Sequence, residues 1–206
     1  NYTTATNAAL LIAICPLLVP LLAWVLYRDA VTPRLLLAIA LSLAGVAVVV
    51  LRGDPARLLT LQFNAGDLIM LAAVFFWSMY TVLLKRRPAG LHPQSLLVAT
   101  MTLAAFMLLP VYLWESFFVR SMPVTTDSLL AVAYVVVFAS IVAFLCFNRG
   151  IEVLGPSKGG LFLHLIPVFA ALLAFVFLGE RLQPFHALGI AAIAAGIVLA
   201  TTAKAR

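Results

Sequence analysis

A helix needs about 20 mainly apolar residues to cross roughly 30 Å of hydrocarbon. Seven stretches of this chain meet that requirement, at approximately 8–27, 35–51, 67–84, 95–114, 129–147, 159–179 and 185–202. The composition agrees, with 65% hydrophobic residues, 10% charged residues and a mean hydropathy of +1.17. A soluble domain carries charge on roughly a quarter of its residues. The expected fold class is therefore an all-α polytopic membrane protein with the lipid bilayer as its principal partner. The expected location is a cell membrane, multi-pass, of the bacterial inner-membrane kind.

Residues 16–45 and 167–196 repeat one another at an offset of 151 positions. Pro16 falls on Pro167, Leu21, Leu22 and Ala23 on Leu172, Leu173 and Ala174, Pro33 on Pro184, and Ala44 and Gly45 on Ala195 and Gly196. An acid recurs at the same turn, as Asp29 and Glu180. The second copy begins five spans after the first, and an odd number inverts it. Inverted repeats of this kind build many secondary transporters, with the solute site near the bilayer midplane between the halves. If the repeat distance holds, roughly 85 residues precede Asn1, giving ten spans in two five-span halves, of which seven are seen here. The expected division is 1–51 as the last two helices of the first repeat, 52–66 as the loop between repeats, 67–202 as the second repeat and 203–206 as a cytoplasmic tail.

A net charge of +6 in a soluble protein points toward nucleic acid, but membrane loops sort basic residues by side. Of thirteen Lys and Arg, only Arg52, Arg57, Arg120 and Arg181 fall in one set of alternate connections, and the other nine share the set that begins at the 28–34 turn. That asymmetry places the C-terminus, the 85–92 loop and Asp29 in the cytoplasm, and residue 1 and Glu180 outside. No nucleic-acid partner is expected. Cys15 and Cys146 both sit in apolar stretches, which indicates neither a disulfide framework nor a metal site.

The turns RDAVTPR and GERLQPF each end on a proline at the start of a span, where the missing N–H is harmless, so both read as tight helical hairpins. Small residues recur at four-residue spacing, as in Ala40 with Ala44 and Ala192 with Gly196, which allows close helix approach in lipid. Pro16, Pro20, Pro110 and Pro167 lie within spans and remove ladder bonds there. Repetition singles out Pro16 and Pro167 as helix hinges.

The residues YTTATNAALLIAICPLLVPLLAWVL, the acid of RDAVTP and the LAGVAVV that follows resemble the EamA-type transporters of the drug/metabolite transporter superfamily. The second half adds GDLIMLAAVFFWSMYTVLLKR, FASIVAFLCFNRGIEVLGPSKGGLFLHLIPVFAALLAFVFLGERL and GIAAIAAGIVL. The resemblance covers essentially the whole chain. It implies ten helices as an inverted five-plus-five repeat, cytoplasmic termini, and transport, in the export direction, of small organic metabolites such as amino acids or drugs by alternating access. Two departures stand out: the family's first three helices are absent, and Asp29-Ala30 replaces the Glu-Arg seen here as Glu180-Arg181.

A polar or ionisable side chain at membrane depth is a functional candidate because leaving it in hydrocarbon is costly. His164 stands well inside a span, three residues before Pro167, and suits either a solute contact or a bond to a neighbouring helix carbonyl. Trp77 and Tyr80 share a helix face at i and i+3, with Ser78 between them, and suit either a pocket wall or packing. Ser140, in FASIVAF, either faces a cavity or returns its hydroxyl to the preceding turn. Asn148 and Arg149 read as a cytoplasmic helix end. GPSKGG at 155–160 lacks P-loop spacing and reads as a helix stop and start. No carboxylate is read inside the spans, and no metal or cofactor is expected.

An intramembrane enzyme needs paired acids, an HExxH helix or a nucleophile with a base, none of which the spans offer. A seven-helix receptor matches the span count but not the repeat. A truncated, non-transporting membrane scaffold is the remaining alternative to a carrier of small-molecule solutes.

Overall fold

The computed structural model describes residues 3–86, 90–91, 93–119 and 123–202. The tail 203–206 and the cations Arg87, Arg120, Lys204 and Arg206 lie outside the described residues. The described residues form helices joined by turns, without strands, and seven helical segments are long and apolar enough to cross a membrane. The chain is thus an all-α, multi-pass membrane protein. It divides into two compact units, residues 1–85 with 151–206, and residues 86–150.

The larger unit contains α1 (Ala5–Ile12), α2 (Cys15–Tyr27), α3 (Pro33–Val50) and α4 (Ala65–Leu83). Its second part holds α8 (Pro156–Gly160), a 3-10 turn (Leu161–Leu165), α9 (Ile166–Leu178) and α10 (Pro184–Thr201). Between these parts run α5 (Pro93–Phe118), α6 (Thr126–Tyr134), a π-helical stretch (Val135–Val142) and α7 (Ala143–Leu154).

The repeat is visible in backbone detail. Helix α2 stops at Arg28 and α9 at Gly179, counterparts that both adopt the left-handed conformation, at φ 57° and 67°. The next amide then turns back identically, Asp29 N–H to the Ala23 carbonyl at 3.4 Å and Glu180 N–H to the Ala174 carbonyl at 3.3 Å. A left-handed residue with a Cβ costs roughly 1–2 kcal/mol, and the Arg28 guanidinium lies over the Trp24 ring, 5.9 Å from its centroid. Helices α3 and α10 then start on Pro33 and Pro184. Thr32 caps α3 by accepting the Leu35 N–H at 3.2 Å.

Helices α3 and α10 make the most extensive pairing in the unit. The seam is a pseudo-twofold crossing: a Cβ on Gly45 would stand 2.6 Å from the Gly189 carbonyl and 2.9 Å from Ile193, and one on Gly196 would stand 2.6 Å from the Ala38 carbonyl and 2.8 Å from Ser42. Gly45 and Gly196 are counterparts, as are Ala38 and Gly189, and Ser42 and Ile193. With no hydrophobic force between helices in lipid, such backbone approach is a main source of association.

Three boundaries differ from the sequence reading. The fifth span runs to Leu154, so Asn148 and Arg149 sit within α7 rather than at its end; polar residues dilute the local hydropathy without breaking the helix. Carboxylates do occur on the spanning helices, Asp67 in the first turn of α4, Glu115 in α5, Asp127 in the first turn of α6 and Glu152 in α7. The 52–66 loop contains a 3-10 helix, Pro55–Thr60. Gly155, left-handed at φ 78°, does separate α7 from α8.

Gly45→Ala and Gly196→Ala should each destabilise the protein by about 1–3 kcal/mol through overpacking, measured as a lower melting temperature in detergent. Gly150→Ala, where an added Cβ meets nothing within 4 Å, should leave it unchanged.

Candidate functional site

Both repeats contain a membrane helix broken at the same place. Helix α1 ends at Ile12 and the chain resumes as α2 at Cys15; the 3-10 turn ends at Leu165 and the chain resumes as α9 at Ile166. Cys15 and Ile166 are counterparts under the 151-residue offset. The cause is local, because Pro16 and Pro167, each second in its resumed helix, have no N–H to give the preceding turn. The two sequence-predicted hinges therefore sit at the two breaks.

At the first break the Leu17 N–H turns to the Ile14 carbonyl at 2.9 Å instead of to Ala13. The Ala13 carbonyl is left to accept a bond from His164 Nε2 at 3.0 Å. His164 and Ala13 are themselves counterparts, so this bond joins the two breaks across the pseudo-twofold axis. The second ring nitrogen, Nδ1, lies 2.7 Å from Ser42 Oγ on α3. A carbonyl cannot donate, so Nε2 carries the proton, and in the neutral ring Nδ1 accepts from the Ser42 hydroxyl. Ser42 Oγ also lies 3.1 Å from the Ile39 carbonyl one turn earlier. His164 is 1% exposed and Ser42 is fully buried. One imidazole thus ties three elements together at the middle of the unit.

The other predicted residues fall elsewhere. Ser78 is fully buried, donates to the Val74 carbonyl at 2.7 Å and touches Cys15 Sγ at 3.2 Å. Trp77 and Tyr80 are half-buried on α4, their ring centroids 5.7 Å apart and inclined at 41°. Trp77 packs against the buried cluster that includes Cys15, Val19 and Val82. Ser140 lies in the π-helical stretch of the smaller unit, a geometry frequent at functional positions. His164 therefore meets Ala13 and Ser42, while Trp77 and Ser78 belong to the α2–α4 contact and Tyr80 stacks on Trp77.

A second polar cluster escaped the sequence reading. Asp67, 2% exposed, accepts from Thr3 Oγ1, from Asn7 Nδ2 at 3.0 Å and from the Asn64 N–H at 2.8 Å. Asn7 Nδ2 also donates to the Gln62 carbonyl at 2.8 Å. An Asn followed three residues later by an acid at a helix start is a capping signature, the one signal in the sequence that marks it. Beside this cluster a polar hollow of about 610 Å³ is lined by Asn7, Arg52, Arg57, Gln62 and Asn64. Among the described residues no group of three or more His, Cys, Asp or Glu is placed to hold a metal.

The EamA-like transporter family profile matches residues 1–51 and 64–202, and the chain belongs to that family. The family is one of membrane transporters. Among its relatives, the uncharacterized transporter YyaM of Bacillus subtilis (strain 168) is 30% identical over 98% of this chain and 66% of its own length. A protein of Streptantibioticus cattleyicolor named a probable terminal-alkyne amino-acid exporter is 28% identical over 96% of this chain and 64% of its own. The chain thus spans just under two thirds of the length of these relatives. A solved crystal structure, 24% identical, has the same fold with a TM-score of 0.79, over 97% of this chain and 68% of the other.

Replacing His164 with Ala strands the Ala13 carbonyl, leaves the Ser42 hydroxyl only the Ile39 carbonyl as partner, and should cost about 1–3 kcal/mol. Ser42→Ala alone should cost less, since Nε2 keeps its carbonyl. A double-mutant cycle on detergent melting checks both, and additive losses would refute a shared bond.

Proposed function

We propose that this protein carries small organic solutes, amino acids foremost, across a bacterial inner membrane by alternating access between inverted repeats. The observation that carries the reading is the pair of helix breaks at equivalent positions, joined by His164 and the Ala13 carbonyl. Discontinuous helices meeting between inverted halves are the usual setting of a solute site in secondary transporters. A broken helix also supplies the hinge that a rocking motion needs.

In this reading residues 1–51 end the first repeat and 67–202 form the second. Export is the working direction, and the C-terminus lies in the cytoplasm on the loop-charge argument. The amino-acid class is supported by family membership and by the name of the Streptantibioticus relative. Trp77, Tyr80 and Ser78 of the larger unit are assigned to the solute path, and Ser140 is a separate candidate of the smaller unit. His164 serves transport by pinning the crossing through which Pro16 and Pro167 let the helices bend.

Proteoliposomes containing the protein should show counterflow of at least one member of a labelled amino-acid panel, absent from protein-free vesicles. Trp77→Ala and Tyr80→Ala should raise the KM several-fold, whereas Pro167→Ala should lower the turnover with little change in KM. Absence of flux for every solute, with the melting transition intact, refutes the carrier reading in favour of a scaffold.

A further inference from the structure

The connection from α3 to α4 carries apolar side chains that the spans do not account for. Leu58, Leu59 and Phe63 lie outside the spanning helices and are exposed, Leu59 to 89% and Phe63 to 84%. On a span such exposure is met by hydrocarbon, whereas in water it is costly in proportion to its area. The connection leaves α3 after Val50 and enters α4 at Ala65, so both of its ends are fixed at one membrane surface.

Its backbone is pinned between those ends. Asp54 accepts the Ala56 N–H at 3.0 Å and starts the 3-10 helix. The Gln62 carbonyl accepts from Asn7 Nδ2 at 2.8 Å and from Asn64 Nδ2 at 3.0 Å, which fastens the far end of the loop to α1. The exposure of Leu59 and Phe63 is thus built into a held turn.

On the same loop opens the polar hollow of about 610 Å³, walled by Thr4 and Thr6 of the α1 start, Arg52 beyond the end of α3, and Arg57 and Gln62. No carboxylate is among its described lining residues. Two carboxylates stand near it and both are engaged: Asp67 accepts from Thr3, Asn7 and Asn64, and Asp54 lies 3.7 Å from Arg57 in an exposed pair. Among the described residues the Arg52 guanidinium has no ion pair and no hydrogen bond. Arg52 is also left-handed, at φ 55°, where glycine is the usual residue past a helix end. An arginine is kept there against that preference, and it sets a free guanidinium in the wall.

We infer that the α3–α4 connection is a phospholipid site, in which Leu59 and Phe63 enter the acyl boundary and the hollow receives the phosphate of an anionic lipid. Apolar side chains on a surface segment bury themselves just below the headgroups, and an arginine at the end of a span stands at headgroup level. Its planar fork matches two phosphate oxygens at once. The Thr4 hydroxyl accepts the Asn7 N–H and has its own proton for a third oxygen. Two guanidiniums without a lining carboxylate favour phosphatidylglycerol, whose headgroup is net negative, over phosphatidylcholine, whose ammonium they repel.

The test takes the whole chain into micelles holding equal amounts of these two lipids and counts retained lipid by native mass spectrometry. Phosphatidylglycerol should be retained about tenfold more often, the ratio that one charge-assisted contact supplies. Arg52→Gln should remove most of that preference, and Arg52→Lys, which keeps the charge and loses the fork, should keep part of it. Arg57→Gln should weaken it less, because Asp54 already takes up part of that charge. Arg181→Gln, at an exposed cation of the α9–α10 turn, should leave it unchanged. Equal melting in phosphatidylcholine micelles verifies that each variant is folded. In nanodiscs of the same lipids, a bimane on Leu59→Cys, with Cys146→Ser, should be quenched at least about threefold more by a lipid spin-labelled below its headgroup than by aqueous iodide. Equal loss of preference in Arg181→Gln, or a Leu59 label reached by iodide alone, overturns the assignment. So does displacement of the lipid by millimolar inorganic phosphate when Leu59→Ser with Phe63→Ser retains lipid as the parent does, since the hollow is then a site for a free oxyanion. None of these readouts involves solute movement, so the carrier reading stands or falls separately.

Discussion

A helix that breaks inside a bilayer leaves backbone carbonyls that no water reaches, and each must find a donor within the protein. The larger unit is organised by how it meets that demand at Ala13. Proline at position 16 prevents the ladder from continuing, and the Leu17 N–H shifts to Ile14. The carbonyl so released is claimed by His164 from the other repeat. Because the same imidazole reaches Ser42 on α3, one side chain fixes the crossing of both broken helices and their distance from the α3–α10 seam.

That seam and that crossing do opposite mechanical jobs. Gly45, Gly189 and Gly196 bring α3 and α10 within backbone contact, a surface with no side-chain length to absorb sliding. The broken helices instead have a ready point of bending beside Pro16 and Pro167. In the proposed carrier the seam would be the rigid spine and the two breaks the places where the helices bend. Both features recur at the 151-residue offset, so each arm has its own half of the spine.

What was legible in the sequence was what the chain's own composition dictates locally. Seven apolar stretches, two proline-started hairpins and the repeat needed no knowledge of partners. The prolines at the two helix breaks, Pro16 and Pro167, were legible because they recur. Ser42 was not, since a serine in an apolar helix looks like filler until its partner, 122 positions away, is brought beside it. Asp67 was missed for a related reason: an acid in the first turn of a helix normally faces water, and only the approach of Thr3 and Asn7 buries this one. The continuation of α7 to Leu154 was hidden by Asn148, Arg149, Gly150 and Glu152, which lower hydropathy and helix propensity without ending the helix before Gly155. The π-helical stretch Val135–Val142 has no sequence signal, being apolar but for Ser140.

The repeat is most nearly conserved in kind along the seam, where Ile39 answers Ile190, Gly45 answers Gly196 and Val46 answers Ile197. It diverges at the crossing, where Ala13 answers His164, and at the one seam position beside it, where Ser42 answers Ile193. Symmetry itself demands this divergence. Residues 13 and 164 meet close to the pseudo-twofold axis, so identical side chains there would compete for one volume. Ala13 is 3% exposed and has room for a methyl group, not a second imidazole. A hydrogen bond across the axis also needs a donor on one side and an acceptor on the other. Two histidines cannot each take the other's backbone carbonyl when only one ring fits. A histidine facing an alanine carbonyl satisfies both conditions, and Ile193 in place of a second serine then fills the space a mirrored network would have used. The loss of identity at the crossing is therefore the form that tight inverted packing takes on its axis, rather than decay of the duplication.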